Sequence, residues 1–574
     1  IFNPATIRER LQNRLDLLKT GDRDRPARHQ TLRQAIAWSY DLLSGSEQRA
    51  FRSLAVFAGG FTLESAEALL PDAAEAVEAL LERSLLQRRE EGSEEWRFLM
   101  LDTIRELGRE KLQEAGEESA VRQAHADHYT ALAEQAALHL AGPDQGRWLD
   151  RLDLEHDNLR AAWTWAMEED RAETVWRLAA ALWRFWLSRG HLHEGWRKAE
   201  TLPPMPAEQS DTDLRARALH GIGTLAHNLA RNHDARRILE TALGIWRRRG
   251  DRRGMATELI NLGWVAAELS DLDTAQSLSE EGLKLQQRLE DRRGVALALN
   301  NLGWVAAYRG DYDGAERRHS ESLALRRSLG DQRGIAFALV NVASALRARG
   351  EYDSAHRCLG EALQCIAPLN DRLLLGYVQL MVGWTRLNAG ALDPAAEDLR
   401  RSLANWKRGG NVSGIAWTTE LLGEVAGRRG DPREALGLLE ESLAFWRDVG
   451  SEWGTAETAL RLGRLALERD DAPAAEASFD ESLRYHQRVG HRRGVAEVLE
   501  GRAVLARRTG RLEEAVENLA QAASLRRQSG TPVPRVDRAG YDALLRELKE
   551  SLPEEAYQRA WAHGEALGEL AGSH

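Results

Sequence analysis

Between residues 252 and 269 the apolar positions Met255, Leu259, Leu262 and Ala266 are separated by four, three and four residues, the interval that aligns one face of an α-helix. The polar stretch SDLDT interrupts this face, and Ala275, Leu278, Gly282, Leu283 and Leu285 begin a second one. LEDRRG, and one period later LGDQRG, close the unit with residues that stop helices. Two amphipathic helices joined by a short turn are therefore predicted. The pattern returns forty residues on, where NLGWVAAELSDLDTA from Asn261 is followed by NLGWVAAYRGDYDGA from Asn301.

The same step of forty runs through three glycine series. One is Gly250, Gly330, Gly410, Gly450, Gly490 and Gly530, with Glu290 and Asn370 in its gaps; a second is Gly254, Gly294, Gly334, Gly414, Gly454 and Gly494. The third is Gly223, Gly263, Gly303, Gly383, Gly423 and Gly463. Eight units fill roughly 211–530, each expected to bury its apolar faces against its neighbours. A glycine inside a helix costs ~1 kcal/mol, so Gly263 and Gly282 are expected where helices approach closely.

A small residue in the first helix, an Asp-containing turn, an alanine early in the second helix and a small residue with Leu after it resemble the tetratricopeptide repeat. The units are longer than that family's usual ~34 residues. HEAT repeats share the length, but their first-helix proline is missing here. The resemblance implies an all-α, right-handed superhelix.

Trp264, Trp304 and Trp384 each follow a glycine of the third series. One residue turns ~100° about a helix axis, so if the glycine meets its partner helix, the tryptophan faces the concave surface. The same face carries Ile260, Asn300, Tyr308, Phe337, Tyr377, Leu380 and Trp417, with Asn261, Asn301 and Asn341 beside them in three successive units. In peptide-binding members of the family a similarly placed asparagine holds the ligand backbone, because a carboxamide donates and accepts at once. Farther along, the face becomes charged: Glu420, Glu424, Glu457, Arg464, Glu497, Glu500 and Arg507. The expectation is a ligand groove, aromatic with an asparagine ladder and an acidic end that begins at Glu420. The alternative is that neighbouring units pack over these rings. Trp246, Trp406 and Trp446, late in second helices, are expected to be packing residues.

Residues 31–116 carry no forty-residue repeat. TLRQAIAWSYDLLS, SEQRAFRSLAVFAGG and LESAEALLP read as short helices, and LLERSLLQRRE and EEWRFLMLDTIREL flank the polar turn EGSE, the plan of a winged helix. RHQTLRQAIAWSYDLLSGSEQRAFRSLAVFAGGFTLESAEALL and LMLDTIRELGREKLQEAGE resemble the winged-helix segment of bacterial signal-transduction ATPases of the STAND class, relatives of plant resistance proteins and of the maltose-response activator. WLDRLDLEHDNLRAAWTWAME is similar to the helical bridge of such regulators, and LPEEAYQRAWAHGEALGEL to their C-terminal cap.

This resemblance implies the end of an upstream ATPase module in 1–30, a winged helix in 31–116, a bridge in 117–210, a repeat sensor in 211–530 and a helical cap in 531–574. It further implies that an inducer (a peptide, protein or small molecule) occupies the repeat groove and relieves autoinhibition of the chain's own upstream nucleotide-binding module, which then assembles into oligomers. ATP or ADP with Mg would belong to that module. Other members of the class read the nucleotide with a Met-His-Asp motif; here the matching residues are Met100, Leu101 and Asp102, with leucine in the histidine's place. Rival readings are a constitutive peptide-binding scaffold and a DNA-binding regulator.

Composition narrows the field. The chain opens on Ile1 rather than Met, so a longer protein is expected. No apolar run approaches the ~18 residues that span a bilayer, and a cytoplasmic protein without membrane partners is expected. Cys358 and Cys365, seven apart on a helical pattern, are too far apart to bridge and are expected to be buried thiols. The net charge is −11, and 31–116 holds 10 Lys/Arg against 16 Asp/Glu, poor material for phosphate contacts. No G-x-x-x-x-G-K-[ST] loop exists, so no ATP hydrolysis is expected of this chain. His125 with His128, and His191 with His193, lack a third ligand in sequence, and no metal site is expected.

Overall fold

The computed structural model describes residues 32–90, 96–140, 144–204, 212–369 and 371–571. The expected upstream segment 1–30 and the wing tip 91–95 lie outside the described residues. The chain divides into two compact units, one holding residues up to 140 with 147–182 and 202–205, the other holding 141–146, 183–201 and 206–574. The bridge expected over 117–210 is thus shared: its greater part folds with the winged helix and 183–201 with the repeats. No described helix is long and apolar enough to cross a membrane.

In the first unit, α1 (Leu32–Asp41) and α2 (Gly45–Leu54) precede β1 (Phe61–Thr62), α3 (Leu63–Glu67) and α4 (Ala73–Glu82). Ser44 and Glu47 form a reciprocal capping box at the start of α2. β2 (Gln87–Glu90) and β3 (Trp96–Leu99) follow, and the three strands form an antiparallel sheet in the order β1-β3-β2, with Phe61 and Arg88 both opposite Phe98. α5 (Asp102–Glu114), α6 (Glu118–His139), α7 (Gln145–Leu154) and α8 (His156–Glu168) complete it with the start of α9 (Ala172–Arg189). Phe51, Leu54, Phe57, Phe61, Leu80 and Leu107 are fully buried, the core that the short helices promise.

The bridge-like motif LEHDNLRAAW has a concrete role in this unit. Arg97 on β3 bonds Glu155 at 2.6 Å and donates to the carbonyls of Gly59, Gly60 and Leu154. Asn158 accepts from the Ala58 amide at 2.7 Å and donates to Gly60 O at 2.8 Å, while Tyr129 donates to Glu155 at 2.9 Å. A buried ion pair holds its place only when its remaining lone pairs and protons are met, as they are here.

In the second unit eight helix pairs succeed one another: α11 (Asp213–Asn228) with α12 (Asn232–Arg249), α13 (Arg252–Glu268) with α14 (Leu272–Arg288), and α15 (Arg292–Tyr308) with α16 (Tyr312–Ser328). The next are α17 (Gln332–Ala348) with α18 (Tyr352–Ile366), α19 (Arg372–Ala389) with α20 (Leu392–Gly409), and α21 (Val412–Arg428) with α22 (Pro432–Asp448). α23 (Glu452–Glu468) with α24 (Ala472–Arg488) and α25 (Arg492–Arg508) with α26 (Leu512–Ser529) end the array. α10 (Leu192–Glu200) packs on α11 at one end; at the other, α28 (Glu554–Ala571) packs on α26, and α27 (Arg535–Ser551) reaches α25 and α19.

The three glycine series have three different causes. Gly250 and Gly410 end second helices in the left-handed conformation at φ 68°, and Glu290 takes the same conformation at φ 55° in a gap of that series. The second series is a row of sockets for the side chain eight residues earlier. A Cβ at Gly254, Gly414 or Gly454 would overlap the ring of Trp246, Trp406 or Trp446, and one at Gly294 would overlap Gln286. All three tryptophans pack into these sockets, and Trp406 and Trp446 also border the cavity described below. The third series faces the partner helix sixteen residues on, Gly303 against His319 and Gly463 against Phe479.

The superhelix turns tightly enough for successive turns to touch. Tyr312 Oη and His491 Nε2, 179 residues apart, lie at 2.9 Å, and Asn411 Nδ2 donates to Asn228 O at 3.4 Å. The spacing of 179 residues makes one turn about four and a half units.

Candidate ligand cavity

Tight turning changes the expected open groove into a cavity of about 410 Å³ between consecutive turns. From the first turn it receives the C-terminal halves of α11, α13 and α15, with His227, Asn261, Trp264, Glu268, Asn300, Asn301, Trp304 and Tyr308. From the next it receives the opening residues of α17, α19, α21 and α23: Arg333, Phe337, Leu373, Tyr377, Ser413, Trp417 and Trp453. The rings form a chain across the gap, Trp264 to Trp304 (6.0 Å between centroids), Trp304 to Tyr308 (5.8 Å), Tyr308 to Trp453 (5.8 Å) and Trp453 to Trp417 (5.7 Å). Several of these pairs are edge-to-face, the arrangement that ring quadrupoles favour.

Nine of the twelve expected ligand-face residues line this cavity: Asn261, Trp264, Asn300, Asn301, Trp304, Tyr308, Phe337, Tyr377 and Trp417. Asn341, Trp384 and Glu420 do not. Asn341 lies one layer deeper, donating to Asn300 Oδ1 at 2.6 Å and accepting from Tyr377 Oη at 3.1 Å. Asn301 lines the wall, but its amide is spent on Ile260 O at 2.8 Å. The asparagine ladder therefore serves the fold first, and Asn261 is its more open rung. Trp384 sits seven residues beyond Tyr377 on α19, ~10 Å farther along the axis, where the Arg347 guanidinium lies 3.7 Å from its ring centroid.

The acidic end is a correction. Glu420 is buried and accepts from Thr458 at 2.9 Å and Trp446 Nε1 at 3.3 Å, while Arg461 reaches Glu420 (2.7 Å), Glu424 (2.8 Å) and Glu457 (3.2 Å). Arg493 pairs with Glu497 (2.7 Å), and Arg428 with Glu424 and with Asp537 of α27 (2.8 Å each). The sequence pattern shows one face of one helix; Arg461 reaches Glu420 and Glu424 from the next unit, Arg428 and Arg493 pair within their own helices, and α27 adds the carboxylate of Asp537.

Protonation in the cavity follows from burial. Glu268, beside Tyr308 Oη at 3.4 Å and with no cation to offset its desolvation, has its pKa raised to about 7. His227 accepts from Trp264 Nε1 at 2.6 Å and gives its Nδ1 proton to Asn232 at 2.9 Å, an arrangement open only to the neutral ring; burial lowers its pKa accordingly.

A second cluster lies where turns meet. His486 and His491 face each other through their Nδ1 atoms at 3.0 Å, so one must donate and the other accept. Glu457 is close enough for the three to share a metal ion, but Arg461 already holds that carboxylate and Arg493 lies in the same field. The cluster is a neutral staple between Tyr312 and the second turn. In the first unit, His125 is buried against Asn158 (3.4 Å) and His128 meets Ser65 (3.2 Å). Met100 is buried, Leu101 is exposed, and Asp102 pairs with Arg105 at 2.7 Å at the start of α5. Cys358 and Cys365 are free and half-buried, more open than expected.

Sequence reading missed Trp453. Its signal was present: the register Arg253, Arg293, Arg333 and Arg493 is broken by Leu373, Ser413 and Trp453, in three consecutive units of the four that wall the cavity from the next turn.

A tetratricopeptide-repeat family model matches residues 214–288, 265–328, 294–366 and 454–528, so the second unit is an all-α superhelix of tetratricopeptide repeats. A Mycobacterium tuberculosis protein named as a candidate HTH-type transcriptional regulator, Rv0890c, is 36% identical over 202 residues, 34% of this chain and 22% of that protein. The uncharacterized protein Rv0894 of the same organism is 33% identical over 141 residues, 22% of this chain and 34% of that protein. The chain thus spans about a fifth to a third of these relatives. Among solved structures, a STAND protein with a tetratricopeptide repeat sensor from Pyrococcus horikoshii is similar over 84% of this chain and 68% of its own, at 14% identity and TM-score 0.42. A Rap protein complexed with competence and sporulation factor is similar over 62% of this chain and 99% of its own, at 11% identity and TM-score 0.45.

Proposed function

We propose that this chain is the sensing and autoinhibitory region of a STAND-type regulator, and that its inducer is a small molecule held in the cavity between superhelical turns. The observation that carries the reading is the ring chain from Trp264 to Trp417, which lines a space of about 410 Å³, the size of a ligand site. Turn-to-turn contacts leave room for a compact ligand rather than a long peptide. The winged-helix and bridge motifs, and the name of the mycobacterial relative, support the regulatory part. A ligand that packs against both turns favours one spacing between them, and that differential affinity would act on the nucleotide-binding module.

The test is a titration with N-phenylnaphthylamine, an uncharged fluorophore, against the wild type and Ala267→Phe, which fills the cavity from its wall. Saturable binding at one site is expected in the wild type and a loss of about tenfold or more in the variant, with circular dichroism showing the variant folded. Equal binding by both proteins would sink the reading. A gel shift with the chain addresses the DNA-binding rival, and retarded duplex at physiological salt would favour that rival.

A further inference from the structure

Unanswered polar groups in the cavity wall are all of one kind. Asn300 Nδ2 and the indole Nε1 atoms of Trp304, Trp406 and Trp417 are buried N–H groups without a hydrogen-bond partner, and among the described lining residues no buried oxygen is left in that state. Folded proteins leave few buried donors unmet, and each one needs an account. One side of the wall is also basic. Arg333 lines it, held by Asp371 at 2.7 Å, and Arg326 lines it beside Asp331 at 3.3 Å. Arg184 rises from α9 three residues before Leu187, itself a lining residue, with its guanidinium 4.3 Å from the Trp183 ring.

Arg293 stands one turn before the lining residue Leu297 on α15, and Arg333 and Arg293 are the charged groups acting on Arg184. Asp291 accepts from the Arg293 backbone amide at 3.1 Å, and among the described residues no ion pair holds the guanidinium of Arg184 or of Arg293. Like charges gather on a protein surface at a cost unless an anion joins them. The single lining carboxyl, Glu268, stands by Tyr308 on α13 and is half protonated near neutral pH.

We propose that the cavity binds an organic acid whose ring system lies among Trp264, Trp304 and Trp417 and whose carboxylate, sulfonate or phosphate group faces Arg184 and Arg293. The inference rests on the cavity being the ligand site. Donors without acceptors and cations without anions are the complement of a ligand that only accepts. Rings stacked edge to face admit a flat body, and a guanidinium suits an oxyanion because its donors form a planar fork.

Two probes that share one aromatic skeleton test this: anilinonaphthalene sulfonate and the uncharged N-phenylnaphthylamine, titrated against wild type, Arg184→Gln with Arg293→Gln, and Ala267→Phe. The sulfonate is expected to bind the wild type about tenfold more tightly than the amine. The double arginine variant should lose that preference while keeping amine affinity within about twofold. Ala267→Phe should lose both probes. If the amine binds and the arginine substitutions leave the sulfonate unmoved, the acid is wrong and the cavity stands. If sulfonate binding survives Ala267→Phe, its site is elsewhere and the proposal falls. If neither probe binds, the cavity reading itself fails.

Discussion

Two stretches of one repeat scaffold have been put to opposite uses. Around α13, α15 and α21 the inner face is aromatic, with indole N–H groups unmet and a cavity left open. Around α23, α25 and α27 the inner face is crowded with ion pairs: Arg461 serves three carboxylates and α27 adds Asp537 to Arg428. The helices, turns and glycine sockets are the same in both stretches. The difference shows that the repeat specifies a frame, and that positions outside the repeat pattern decide whether the inside is an open cavity or a packed core.

The comparison is broken most sharply in the charged half. Arg461→Met should destabilise the protein by ~3–5 kcal/mol, because Glu420 and Glu457 would lose the cation that pairs with them and Glu424 would keep only Arg428. A thermal or urea melt reads this directly. A loss below ~1 kcal/mol would mean that water already reaches these groups.

The frame itself can be probed next. Gly414→Ala should cost ~1–3 kcal/mol, since a Cβ there would overlap the Trp406 ring. Gly360→Ala, in the exposed interior of α18 with nothing within 4 Å, should stabilise by ~0.4–1 kcal/mol. Equal effects of the two in paired melts would contradict the socket account.

The cavity half should respond to pH. The Glu268 pKa is raised to about 7, so its contribution to stability is complete below the unfolded value of about 4.5 and is lost as pH rises through about 7. Glu268→Gln should therefore be close to neutral at pH ~4.5 and stabilising by ~1–3 kcal/mol at pH ~8. Denaturation curves at the two pH values check this, and a pH-independent difference would remove Glu268 from the account.

Much of this was legible in the sequence, and the parts that were not have a common cause. The step of forty, the helix pairs and the concave face of Trp264, Trp304 and Tyr308 follow from periodicity, because each depends on residues within one or two units. Trp384 was misplaced because register sets the face of a helix and not the depth along it. That depth depends on the superhelical pitch, which only the contacts of Tyr312 with His491 and of Asn228 with Asn411 reveal. Glu420 was misread for the same reason: its partner Arg461 sits a unit away. The break of the arginine register at Leu373, Ser413 and Trp453 did mark the cavity, as a departure from the repeat rather than as part of it.

The claim that ties these points together is that Trp304 belongs to a site and not to a core. Its ring is partly exposed and meets Trp264, Tyr308 and His319 across the cavity wall. The most direct measurement pairs the melting temperature of Trp304→Ala with its affinity for N-phenylnaphthylamine. The account predicts a stability loss of only ~1–2 kcal/mol, well short of the ~3–5 kcal/mol for a core tryptophan, together with about a tenfold loss of affinity. Unchanged affinity, or a protein that no longer folds, would contradict it.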